Sequence, residues 1–127
     1  MTKTLFTRFG LVAALSTLAF AAHAADVTVS CEKRSNRSKA SVDGNNLATG
    51  SYRAVLKSGT KTATSGFDTS VGDEVEFDFD SAAADIAEGA TAIPASFIVD
   101  GRVKAYLVNT AGARVTPVVT AVCRIKK

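Results

Sequence analysis

The chain has 127 residues, 46% of them hydrophobic, with 15 Lys or Arg against 12 Asp or Glu, two Cys, one His, one Met and no Trp. That length holds one domain at most. The formal net charge of +3 gives no pervasive basic face of the kind that nucleic acid or an anionic membrane would require.

Lys3 and Arg8 precede an apolar run over residues 10–22, and Ala22-His23-Ala24 supplies small residues where a signal peptidase reads them. The pattern predicts a secretory signal peptide over residues 1–24, cleaved before Ala25, and a β domain over residues 25–127. An apolar run of about 13 residues is short of the roughly 20 needed to span a bilayer, so a membrane anchor is not expected. Ala25 rather than Cys follows the cut, which also argues against a lipid-anchored protein. Lys3 and Arg8 leave with the leader and no acid does, so the balance falls to +1. The expected location is periplasmic or secreted.

Both cysteines lie in the mature part, and export delivers them to an oxidising compartment, where a Cys31–Cys123 disulfide is expected. The chain-entropy treatment gives such a long loop about 4 to 5 kcal/mol as an upper figure.

Period-2 alternation dominates the mature chain. Val27, Val29 and Cys31 alternate with Thr28 and Ser30 in a strand over residues 26–33, and a shorter strand covers 38–42. Asp43-Gly44-Asn45-Asn46 reads as a turn. Residues 47–57 follow, with Tyr52, Ala54 and Leu56 on one face and Arg53, Val55 and Lys57 on the other. Ser58-Gly59 turns the chain into a weaker strand over 60–67. The clearest strand covers 74–80: Val75, Phe77 and Phe79 point inward, and Glu74, Glu76, Asp78 and Asp80 point to water. Residues 81–88 read as one or two helical turns, with Ser81 as cap and Gly89 just past the end. Asp100-Gly101 is a two-residue hairpin signal between strands over 95–99 and 102–108. Thr110-Ala111-Gly112-Ala113 ends the second of these. The last segment, 114–125, is Val-rich, with Pro117 confining its first part to an edge or bulge.

About seven short strands with a bridge from the first to the last predict an all-β fold: an antiparallel β-sandwich of immunoglobulin-like kind, with a small closed barrel as the alternative. The resemblance is one of architecture and implies no activity.

His23, the only histidine, lies in the leader, so the mature chain has no nucleophile–histidine machinery and no histidine-based metal site. The nine Gly stand singly, which excludes Gly-rich phosphate-binding loops. No catalytic residue, cofactor or metal ligand set is assigned. What remains is charge. From residue 68 to 88 there are Asp68, Asp73, Glu74, Glu76, Asp78, Asp80, Asp85 and Glu88 and no base, while Lys33, Arg34, Arg37 and Lys39 cluster near the start. The plain reading is that these are solvated faces pairing across neighbouring strands; the functional one makes Glu74, Glu76, Asp78 and Asp80 a binding face for a protein or envelope polymer. Two alternatives stand beside it. Acid density near Asp80 would suit calcium, and Asp78 and Asp80, about 7 Å apart on one face, would suit a carboxylate-based hydrolase.

Overall fold

A computed structural model describes residues 24–127. All of the expected leader except Ala24 lies outside the described residues. In chain order the elements are β1 (Asp26–Arg34), β2 (Arg37–Asn45), β3 (Ser51–Ser58), β4 (Lys61–Thr64), β5 (Asp68–Thr69), β6 (Val75–Asp80), a helix α1 (Ala83–Ala87), β7 (Thr91–Ala92), β8 (Arg102–Asn109), β9 (Val119–Val122) and β10 (Arg124–Ile125).

Two sheets pack face to face and neither closes into a barrel. The first runs β10-β1-β2-β6-β7 and the second β4-β3-β8-β9, with β5 also on β3. Adjacent β2 and β6, and adjacent β3 and β8, come from distant parts of the chain, which is the Greek-key crossing expected of an immunoglobulin-like sandwich. The long pairings are antiparallel; the short β10 and β7 join their neighbours in parallel.

The inward positions of the four central strands meet in the core. Val42, Leu56, Phe79 and Leu107 are fully buried, and Val75 and Phe77 join them as the alternation predicts. Burying each large apolar side chain contributes about 1.5 to 3 kcal/mol. Cys31 on β1 is bridged to Cys123, which sits where the chain leaves the second sheet after β9 and enters the first as β10. The bond therefore ties the sheet switch to β1.

The structure corrects several local expectations. β1 and β2 form a hairpin through Ser35-Asn36, and β2 continues through Asp43-Gly44-Asn45, which are strand rather than turn. Gly44 is needed there for space: a Cβ would come within 2.5 Å of Leu107 Cδ1 and 2.9 Å of Leu47 Cδ1. Asn46, at φ 58°, makes the turn instead. The strand expected over 60–67 shortens to β4. The Asp100-Gly101 hairpin turn is present, both residues having positive φ. Its expected first strand over 95–99 is not: only Val99 bridges, to Arg102. That segment instead plugs the end of the sandwich with buried Phe97 and Ile98. Side chains satisfy its main chain, since Ser38 Oγ donates to the Ala95 carbonyl and accepts from the Ile98 N–H, and Ser58 Oγ accepts from the Val99 N–H.

Candidate functional site

In the antiparallel pairing of β2 with β6, Lys39 lies opposite Asp80, Ser41 opposite Asp78 and Asp43 opposite Glu76. Opposed residues share a face, so this register sets the outer surface of the first sheet.

The expected row of four acids divides. Asp80 does not face water: it is 4% exposed, because the chain after β6 folds back over it. Arg37 Nε and Nη2 donate to its two carboxylate oxygens at 3.0 and 2.7 Å, and Arg37 Nη2 also reaches Asp85 Oδ2 at 2.9 Å. The Ala82 N–H donates to Asp80 Oδ1, so Asp80 rather than Ser81 steadies the approach to α1. Ser81 Oγ accepts from the Ser38 N–H instead. The Arg37 hydrogen bonds hold the Asp80 carboxyl below the usual carboxylate range, against the opposing effect of burial.

Glu74, Glu76 and Asp78 are exposed. Asp78 Oδ1 accepts from Ser41 Oγ at 2.8 Å. Among the described residues no base forms an ion pair with any of the three. They are joined by Asp43, hidden from sequence reading by its apparent place in a turn. Asp43 Oδ1 is buried with no hydrogen-bond partner, and burial, then Asp78 and Glu74, push its carboxyl up. Like charges placed directly across a strand pair are unfavourable, so Asp43 and Glu76 oppose folding.

Three members of the expected basic cluster are engaged, and the fourth, Lys39, lies on the outer face of β2 opposite Asp80. Arg37 is held as above, Arg34 pairs with Glu32, and Lys33 Nζ donates to the carbonyls of Arg34 and Ala95.

A groove of about 450 Å³ runs beside β6, lined by Lys39, Asp68, Glu76, Asp78, Asp85 and Glu88 among others. Phe67 stands on its rim, 45% exposed, with the Arg53 guanidinium 3.9 Å from its ring centre. Neither residue is singled out by the sequence, because they meet only through the packing of separate loops and strands.

Arg37 stabilises the ionised form of Asp80, which suits that carboxylate to an ion pair rather than to the general-acid role in a carboxylate hydrolase. Among the described residues no three His, Cys, Asp or Glu converge as metal ligands, and no helix is long and apolar enough to cross a membrane. Comparison with protein-family models, with curated proteins and with solved structures finds no match to this chain.

Proposed function

We propose that the chain is a small exported envelope protein, periplasmic or secreted, that works without catalysis as a binding or structural module through the acidic groove beside β6. The leader pattern and the single disulfide support export. One observation carries the binding reading: Arg34 and Arg37 are taken up by Glu32, Asp80 and Asp85 and Lys33 by main-chain carbonyls, and although Lys39 also lines the groove, among the described residues Asp43, Glu74, Glu76 and Asp78 have no ion-pair partner. A surface with acids in excess gains free energy from a cationic partner and steers its approach.

The test is affinity capture from envelope extract with the purified protein and with a Glu76→Lys/Asp78→Lys variant. The expected partner binds at low salt, is released toward 1 M as the Debye length shrinks from about 8 to about 3 Å, and is not captured by the variant. Equal capture by both proteins at both salts overturns the reading.

A further inference from the structure

The edge of β6 that borders the groove carries information beyond its charge. Main-chain groups of successive strand residues address opposite sides. The Asp80 carbonyl accepts from the Ile93 N–H on the β7 side, whereas the Ser81 N–H donates to the Ser38 carbonyl on the β2 side. By that alternation, the N–H and C=O of Glu76 and the N–H of Asp78 point away from β2 into the groove. Because the Phe79 main chain faces β2, its parallel pairing with Thr91 runs through the Asp78 carbonyl and the Asp80 N–H, so β7 closes the edge as far as the Asp78 carbonyl. At the other end, Glu74 exchanges hydrogen bonds with Val71. The open stretch is thus bounded on both sides and consists of the Glu76 N–H and C=O and the Asp78 N–H, with which nothing pairs among the described residues. The short β5, which follows the groove wall of Gly66, Phe67 and Asp68, pairs with β3 in the other sheet. The first sheet therefore lacks a strand beside the middle of β6.

Resting on the acidic-groove reading, we propose that this vacancy receives an extended segment of another protein, with basic residues at alternate positions, as an added strand against Glu76 and Asp78. Main-chain hydrogen bonds to the Glu76 N–H and C=O and to the Asp78 N–H would fix its register, as in other cases of strand addition. Alternate side chains of a strand share a face, so its basic residues lie over Glu76, Asp78 and, across β6, Asp43. The intervening residues point toward the Phe67 rim, where apolar side chains fit. Native sheets shield or charge such edges against unwanted pairing; here the charges admit a cationic strand and repel an acidic one.

The probe is a short peptide of alternating lysine and valine, compared with its fully N-methylated counterpart, which keeps the charge and side chains but has no N–H donors. The unmodified peptide should bind the purified protein, slow hydrogen exchange at the Glu76 and Asp78 amides, and bind about fivefold more tightly than the methylated one, the effect of the hydrogen bond lost at the Glu76 carbonyl. Equal binding of the two peptides overturns strand addition and leaves the acidic-groove reading standing. Failure of both peptides, with envelope capture still abolished by Glu76→Lys/Asp78→Lys, has the same consequence. If neither peptide binds and capture ignores the variant, both readings fail. Self-association of the protein alone that protects these same amides would assign the edge to a second copy and overturn the foreign strand.

Discussion

Asp80 and Glu76 lie on the same strand and project from the same face, yet one is buried against an arginine and the other faces water opposite an aspartate. Their fates differ because of what each meets. Near Asp80, β2 offers Arg37, and the chain returns through α1 to cover the pair. At Glu76, β2 offers Asp43, and the strand beyond stops short. A row of acids is therefore not one feature: its covered end is part of the fold, and its bare part is available for contact.

The inward side of β6 supports both ends alike. Phe79→Ala should cost about 3 to 5 kcal/mol, read from urea denaturation, and capture should fail only to the extent that the protein unfolds. A loss under about 1 kcal/mol would mean that the outer contacts, not the core, hold β6.

The next largest effect separates the ends. Asp80→Asn removes a charged acceptor from Arg37 and should cost about 2 kcal/mol at neutral pH. Because the folded-state pKa of Asp80 is lowered, its contribution is complete above the unfolded value of about 3.9 and fades as pH falls through the lower folded value. Wild-type stability should therefore fall more steeply with acid than that of the variant. Parallel pH profiles would show that the Arg37 contact is energetically idle.

The smallest effect has the opposite sign. Glu76→Lys places a base opposite Asp43 and should stabilise the fold by a few tenths to about 1 kcal/mol, while weakening capture. Asp43 provides a check: its raised pKa means that its ionised form burdens the fold above that value and that acid relieves the burden. Asp43→Asn should thus be the more stable protein at neutral pH and lose its advantage as pH falls. Thermal denaturation across pH measures both, and a destabilised Glu76→Lys would mean that the outer face of β6 is packed rather than bare.

Much of this was readable from residue order because strand alternation is local. Val75, Phe77 and Phe79 declare one buried face, and Asp100-Gly101 supports positive φ in a turn. Reading failed where a residue answered to a distant neighbour. Gly44 looks like a turn residue, but lies in β2 because Leu47 and Leu107 crowd its Cα. Residues 95–99 look like a strand, but their N–H and C=O groups are satisfied by serine hydroxyls on β2 and β3. Asp80 carries the same outward signal as Glu76, and only the return of the chain over it tells them apart.

The sequence by itself determined the alternating strands, the two-sheet class and the identity of the bridged cysteines, since hydrophobic periodicity and a cysteine count of two leave few alternatives. Only the tertiary structure decided which acids are engaged and which are bare, and that β6 has an open edge. Charge pairing and strand neighbours depend on register between segments some forty residues apart in the chain, as Arg37 and Asp80 are, and no local pattern encodes that register.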